Sequence, residues 1–346
     1  MIWSSGYVQK LKNVKELLLK YIATLWSNEE GDLVKDHKRE CAPIAVFAFN
    51  RPEHLHRVLI ALAENDLAEQ SEVTIFCDGP RTKEEKVKTD AVTAVAHSAT
   101  GFSSVVVIER AHNMGCADSV IDGLTQMFRL YERLIVIEDD ILASPYTLRF
   151  LNEGLIRYED NLTVFNISAW SPPPNFLRIP SDYPYDVYAI PRFNCWGWAS
   201  WRDRFEAIDW EISDYPIFKS SPETRNAFNA GGEDMSLMLD AQMEGKINSW
   251  AIRADYHRFR RGMLGINPIR SYTFNIGIGC GTHTTGYTTR FDSNISLAKQ
   301  TCNFMSEVNL DARIEKKYKK IYSPNCVNWR GKIKNIFSAF KQYFGK

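Results

Sequence analysis

The chain lacks several features that mark large classes of proteins. Its seven cysteines are an odd number and include no Cys-x-x-Cys pair, so neither a disulfide framework nor a zinc site is expected, and a reduced, cytoplasmic setting fits better. Its formal net charge is zero, so it has no overall field of the kind expected of a nucleic-acid-binding protein. No apolar run is longer than a strand, and the N-terminus does not follow the pattern of a signal peptide. No membrane-spanning segment and no secretory leader are therefore predicted.

A large apolar fraction is present instead. Hydrophobic residues make up 45% of the 346 positions, which is enough for one large domain with additions or for two small domains. In residues 1–40, apolar side chains recur at helical spacing with lysines between them, and we predict an N-terminal helical extension there. The apolar positions are Val8, Leu11, Val14, Leu17, Leu18, Tyr21 and Ile22.

From residue 41 onward, apolar runs alternate with helix-like segments. The runs are Ile44–Phe49, Val73–Cys77, Ser104–Ile108 and Leu134–Ile137, and the segments between them are His54–Glu64, Lys83–Ser98 and Ala117–Tyr131. Buried strands that alternate with helices form βαβ units, so we predict an α/β fold with a mainly parallel sheet and helices on both faces. Beyond about residue 150, prolines, aromatics and short strand-like pieces replace this alternation. We predict one domain over 41–300, with halves at 41–145 and 146–300.

Each apolar run ends in polar residues, at the sheet edge where α/β proteins bind their ligands. The fourth run is followed by Glu138-Asp139-Asp140. Three acids at the end of a buried strand are costly unless a cation or ligand satisfies them. Their oxygens suit Mg²⁺ or Mn²⁺, which hold phosphates with one or two carboxylates. A solvated turn whose acids cap a helix is the alternative interpretation.

The order of these motifs resembles that of GT-A fold glycosyltransferases. Phe49-Asn50-Arg51-Pro52, Asp78-Gly79, Asn113-Met114-Gly115 and the acidic triplet follow one another as in that fold, and the triplet matches its metal-binding DXD-type motif. The stretches 195–202 and 275–284 add a similarity to bacterial sugar transferases distantly similar to the inverting N-acetylglucosaminyltransferase I family. The resemblance covers roughly residues 42–290. It implies a GT-A domain with a nucleotide-sugar half at 41–145 and an acceptor half at 146–300.

The resemblance also implies roles for the matching residues on the donor side. Asn50 and Arg51 would lie beside the nucleotide, Asp78 would accept the N3–H of a uracil-type base, and Asn113 and Gly115 would approach the nucleotide. Glu138 and Asp139 would contact sugar or ribose, and Asp140 would bind Mn²⁺ or Mg²⁺ together with His283. The alternatives are plain turns at Asp78 and Asn113 and a structural His283. Gly279-Cys280-Gly281 departs from the family pattern, which often has an acid there.

Candidate residues on the acceptor side follow from two further motifs. Glu233-Asp234 precedes the helix-like Met235–Met243 and matches the xED pattern in which the Asp is the general base of an inverting enzyme. Helix capping is the alternative interpretation, and Asp240 is a second candidate for the base. Trp196-Gly197-Trp198, with Glu233, would contact acceptor or sugar, although aromatic clusters are more often core. Arg202 would bind phosphate or an acid, or would be a surface charge.

Taken with the resemblance, the motifs predict a metal-dependent, inverting transferase that moves a sugar from a nucleotide sugar, by default a UDP-sugar, to a glycan hydroxyl. A nucleotidyltransferase is disfavoured, because Asn50-Arg51-Pro52-Glu53 supplies no glycine-rich loop after the first run. A non-catalytic glycan-binding module and a retaining transferase remain as alternatives.

The C-terminal segment, residues 301–346, has a composition of its own. From Pro324 onward it carries basic residues and no acid, with apolar residues on one helical face. This pattern is typical of a helix in a membrane interface, here on the inner face of the plasma membrane, where it would help the enzyme to reach lipid-linked glycans. Packing of the apolar face on the main domain or on another subunit is the alternative.

Overall fold

The computed structural model describes residues 41–277, 291, 295–297 and 302–323. The predicted N-terminal extension, His283 and the basic stretch 324–346 lie outside these residues. The predicted division of the chain at residues 40, 145 and 300 stays a prediction.

An eight-stranded sheet forms the centre of the described part. Its strands stand in the order β3-β2-β1-β4-β8-β6-β9-β7. They are β1 (Ile44–Ala48), β2 (Glu72–Cys77), β3 (Ser104–Glu109), β4 (Arg133–Glu138), β6 (Val164–Ser168), β7 (Val187–Ile190), β8 (Trp198–Trp201) and β9 (Leu264–Pro268). Only β7 and β8 run against the other strands of this sheet, so the predicted α/β class with a mainly parallel sheet is confirmed. A two-stranded ribbon, β5 (Ile141–Ala143) with β10 (Thr273–Asn275), lies beside it.

Helices cover both faces of the sheet because side chains of each strand alternate between two cores. Ile44 and Val46 point to one face, and Ala45 and Phe47 point to the other. The first face packs on α1 (Pro52–Ala63), α2 (Lys83–His97) and α4 (Thr147–Arg157); the second packs on α3 (Cys116–Leu130) and α9 (Trp250–Arg260).

Two expectations about local structure were wrong. The run Ser104–Ile108 was expected to be a buried strand, but among the described strands β3 stands at the edge of the sheet and pairs with β2 alone, and Val106 is 51% exposed. The second half was expected to contain mainly short strand-like pieces, but helices occupy much of residues 202–260. The expected helix α8 (Met235–Met243) is joined there by α5 (Arg202–Phe205), α6 (Tyr215–Ser220), α7 (Pro222–Phe228) and α9.

The chain after residue 301 returns to the body through α10 (Ala312–Ile321). Asp311 caps this helix by accepting the N–H groups of Arg313 and Ile314. Ile314, Tyr318 and Ile321 are buried in one cluster with residues of β7. The first part of the predicted C-terminal segment therefore packs on the sheet. In the described part of the chain, no helix combines the length and apolar character needed to cross a membrane.

Candidate functional site

The carboxyl ends of β1, β2 and β4 bring most of the predicted donor-side residues together. The ladder between β1 and its neighbours continues past the strands, because the Asp78 N–H donates to the Ala48 carbonyl at 2.9 Å and the Asp139 N–H donates to the Phe47 carbonyl at 3.0 Å. Arg51, Asp78 and the acidic triplet therefore lie at one sheet edge.

Arg51 makes ion pairs with two members of the acidic triplet. Its Nη2 lies 2.5 Å from Oδ1 of Asp139, and its Nη1 lies 3.1 Å from Oδ2 of Asp140. The second oxygen of Asp139 accepts the Phe49 N–H at 3.4 Å. The structure thus places Arg51 directly on the acids, whereas the sequence comparison implied a position beside the nucleotide.

The triplet crowds three carboxyl groups into a shielded place, where burial opposes their ionisation. Burial, reinforced by the charges of Asp140 and Asp139, raises the pKa of Glu138 to about 8. Burial also raises the pKa of Asp139 to about 6, against the opposing charge of Arg51. One guanidinium faces three carboxyl groups, so the arrangement favours binding of a further cation.

The carboxylates of the triplet could bind a divalent cation whose remaining ligands come from a bound substrate. Among the described residues, no three acidic, His or Cys side chains form a full metal cage. Mg²⁺ and Mn²⁺ are commonly held by one or two carboxylates together with substrate phosphates, and the side chain of Asp140 is 16% exposed, against 4% for Asp139. Asp140 is therefore the member best placed to meet a metal. The predicted second ligand, His283, is outside the described residues.

Gly277 packs against Asp140 and was not among the residues singled out from the sequence. A Cβ at this position would overlap Oδ2 of Asp140 and would stand 2.9 Å from Nη1 of Arg51. The turn is fixed by the Ile276 N–H, which donates to the Asp140 carbonyl, and by the Gly277 N–H, which donates to Oδ1 of Asn275. The Asn-Ile-Gly run at 275–277 was part of the quoted resemblance, so a signal for this residue was present.

Asp78 organises the loop that precedes α3. Its carboxylate accepts the backbone N–H groups of Gly79, Met114 and Gly115 and the side-chain amide of Asn113, at 2.9 to 3.1 Å. Burial raises the pKa of Asp78, and the hydrogen bonds from Met114, Gly79 and Gly115 oppose that shift. These contacts agree with the alternative interpretation, in which Asp78 and Asn113 are turn residues.

Gly115 leaves open space at the N-terminus of α3. Its φ of 82° lies in the left-handed region that favours glycine, and a Cβ built there would meet no atom within 4 Å. Free N–H groups at a helix N-terminus favour an anion such as a phosphate. Asn50 lies at the neighbouring strand end and donates to Glu85 of α2 at 3.4 Å.

Asp234 is held by a partly buried arginine, Arg192, which follows β7. Nη1 and Nη2 of Arg192 lie 2.8 and 3.0 Å from its two carboxylate oxygens, and Asp234 is 5% exposed. The guanidinium of Arg192 in turn lies 3.8 Å from the ring centroid of Tyr322. The Asp234 side chain makes no capping bond to α8, so capping does not explain its position. Arg192 was missed because it is 42 positions away in the chain.

The other two acids near α8 have partners of their own. Glu233 is exposed and accepts a hydrogen bond from Ser323 at 2.7 Å. Asp240, the second candidate for the base, pairs with Arg225 at 2.6 and 2.7 Å and accepts from Tyr215. Asp240 is thus held in a network that joins α8 to α6 and α7.

The tryptophan motif separates into core and surface. Trp198 is fully buried between Phe205 and Trp250, so it has no face to offer a sugar, and the predicted contact is corrected here. Gly197 has a φ of 78° and lies against Thr273, Ile137 and Ile141, so packing explains the glycine.

Within the motif 196–198, Trp196 is the tryptophan with a partly exposed ring. This ring makes edge contacts with Trp170 and Phe291, at centroid distances of 4.8 and 5.4 Å. Phe291 also approaches Tyr322, the ring that covers Arg192. Arg202 pairs with an acid, Glu132, at 2.9 Å, and its side chain is 11% exposed, so it is not the surface charge of the alternative interpretation.

No protein-family model matches this chain. Solved structures with partial similarity include the mannosyltransferase PcManGT from Pyrobaculum calidifontis in complex with GDP-Man and Mn²⁺, with 20% identity and a TM-score of 0.36 over 56% of this chain and 54% of that one. They also include S. aureus TarS, with 11% identity and a TM-score of 0.37 over 67% of this chain and 36% of that one. The galactosyltransferase LgtC with donor and acceptor sugar analogues matches at 11% identity and a TM-score of 0.34, over 84% of this chain and 99% of that one.

The match spans about half of the mannosyltransferase and about a third of TarS.

Proposed function

We propose that the chain is a metal-dependent, inverting glycosyltransferase of the GT-A type that moves a hexosyl or N-acetylhexosaminyl group from a nucleotide sugar to a hydroxyl of a glycan. The observation that carries this proposal is the acidic triplet at the end of β4, set beside Arg51 and near the open N-terminus of α3. A UDP-sugar is the proposed donor, by the resemblance of Asp78 and its loop to the uracil-binding position of that fold.

On the donor side, the N–H groups at the start of α3 and the guanidinium of Arg51 would bind the diphosphate. The absence of a side chain at Gly115 would let the phosphates approach the backbone. Glu138 and Asp139 would contact the sugar or the ribose. Asn50 and Asn113 would border the nucleotide, each held by a hydrogen bond within its loop.

Asp140, with His283, would hold Mn²⁺ or Mg²⁺. When bound, this cation would neutralise the charge that builds up on the departing diphosphate. Gly277 keeps the carboxylate of Asp140 accessible by leaving room beside it.

On the acceptor side, Asp234 would accept the proton of the attacking hydroxyl. General-base assistance of this kind contributes about 10²–10⁴-fold in rate. Arg192 would orient the carboxylate, and Trp196 with Glu233 would contact acceptor or sugar. Attack from the face opposite the leaving group would invert the anomeric centre.

A thermal-shift screen of nucleotide sugars with and without Mn²⁺ tests this proposal. A donor at about 100 times its Kd stabilises a protein by about 2.7 kcal/mol, so the melting temperature is expected to rise with one nucleotide sugar and to rise more when Mn²⁺ is present. Asp140→Ala should remove the additional rise from Mn²⁺. If no nucleotide sugar shifts the melting temperature under either condition, the transferase proposal is wrong.

Two other assignments make different predictions. A non-catalytic glycan-binding module would bind glycans without hydrolysing or transferring any donor, and a retaining transferase would give the opposite anomer, which NMR of the product would reveal.

We also propose a cytoplasmic enzyme that is peripheral on the inner membrane surface and acts on lipid-linked glycans of bacterial surface polysaccharide synthesis. Unchanged co-sedimentation with anionic liposomes after deletion of 324–346 would argue against that location.

A further inference from the structure

Arg51 bridges the two aspartates of the acidic triplet from a fixed backbone position. Its carbonyl accepts the Leu55 N–H at 3.0 Å, and Pro52 follows as the first residue of α1. The backbone of Arg51 is therefore tied to the helix start, and only the side chain is free to change direction. That side chain is 28% exposed, whereas its partner Asp139 is 4% exposed. It reaches the acids from the solvent side.

The guanidinium lies on the oxygen that a metal would need. Nη1 is 3.1 Å from Oδ2 of Asp140, the carboxylate with the greater exposure. Mg²⁺ binds oxygen at about 2.0–2.1 Å, so a cation on this oxygen would stand within a few ångströms of the guanidinium. Two positive groups at that separation repel each other strongly in a partly buried site. The backbone at Gly277 lies so close to both groups that not even a Cβ would fit beside them, which limits the room for a shared position.

We infer that Arg51 and the divalent cation compete for Asp139 and Asp140. Without metal, the guanidinium neutralises the two aspartates and keeps them together. When the cation binds, the side chain swings out from its fixed backbone and becomes available to the donor diphosphate. The inference rests on the proposed function, because it assumes that the triplet is the metal site. It adds that metal and nucleotide bind cooperatively through this one side chain.

Titration of Mn²⁺ followed by the electron paramagnetic resonance of free Mn²⁺ tests the competition without any turnover. Arg51→Gln removes the competing charge and keeps a side chain of moderate length. It should bind Mn²⁺ about tenfold more tightly than the unsubstituted protein when no nucleotide is present, since the charge repulsion at this distance is large. Arg51→Lys keeps the charge and should stay close to the unsubstituted protein.

A second readout is the effect of UDP on the same titration. UDP should raise Mn²⁺ affinity in the unsubstituted protein, and this increase should be several-fold smaller in Arg51→Gln. The matched control is Arg149→Gln, which removes one positive charge from a surface ion pair with Asp66 and should leave both titrations unchanged. Circular dichroism and melting curves show whether each variant is folded.

Mn²⁺ affinity in folded Arg51→Gln that equals or falls below that of the unsubstituted protein would overturn the competition and leave the proposed function standing. Absence of Mn²⁺ binding in both proteins, even with UDP, would overturn the competition and the proposed metal dependence together. Tighter Mn²⁺ binding in Arg51→Gln, with unchanged Mn²⁺ binding in Arg149→Gln, would establish the competition.

Discussion

Gly277 shows how a residue without a side chain shapes the candidate metal site. Because a Cβ there would overlap Oδ2 of Asp140, Gly277→Ala should push this carboxylate or Arg51 out of place. We expect donor affinity in the presence of Mn²⁺ to fall at least about tenfold, equivalent to about 1.4 kcal/mol. Isothermal titration with the donor identified in the screen measures this change.

Gly245→Ala is the comparison for that experiment. Gly245 has a φ of 68° and no atom within 4 Å of a built Cβ, so the substitution strains the backbone away from the triplet. It should lower stability without changing donor affinity. Equal donor affinity in both glycine variants would show that Gly277 does not shape the site.

Substitution of Asp234 should abolish sugar transfer without abolishing donor binding. Asp234→Asn keeps the shape of the side chain but removes the charge that faces Arg192, so transfer should be lost while donor titration remains within about threefold, equivalent to about 0.65 kcal/mol. Weakening this buried pair should also reduce stability, by less than the 3–5 kcal/mol expected when one partner is removed outright. Product formation that persists in Asp234→Asn would exclude it as the base.

At the scale of elements, α10 connects the end of the described chain to the surroundings of Asp234. Ile314 is fully buried against β7, and the same helix carries Tyr318 and leads to Tyr322 over Arg192. Ile314→Ala should cost about 2–5 kcal/mol of unfolding free energy, because it leaves a cavity in this cluster.

Lys316→Ala is the matched change on the exposed face of α10 and should stay within about 0.5 kcal/mol of the unsubstituted protein. Urea denaturation of both variants makes the comparison. Similar midpoints for the two would mean that α10 contributes little to the fold.

The elements also show what could be predicted from the sequence. The four apolar runs matched the positions of β1 to β4 closely, and in β1, β2 and β4 the reason is that a buried parallel strand is one continuous apolar stretch. The helices α4, α5, α6, α7 and α9 were not predicted; of these, α5 to α7 are too short to carry a long helical period. Pairings such as Arg192 with Asp234 join distant positions, and no local pattern records them. Trp198 and Trp196 look alike in the sequence, and only the sheet decides which ring is buried.

At the scale of the whole molecule, the two predicted halves share one sheet. Strand β8 of the second half lies between β4 of the first half and β6, and it pairs with both. A fragment that ends at residue 145 would expose the apolar edge of β4 and lose Trp198 and Trp201 from its core. Such an edge invites aggregation.

We therefore expect residues 41–145 expressed alone to remain unfolded or insoluble. In the longer chain, we expect the two halves to unfold together. The tryptophans of residues 41–323 all lie after position 145, so in a 41–323 chain fluorescence reports the second half, whereas far-ultraviolet circular dichroism reports both. The two signals should share one urea midpoint. A fluorescence transition well separated from the dichroism transition, or a soluble and folded 41–145 fragment, would mean that the donor-side residues fold independently of the acceptor side.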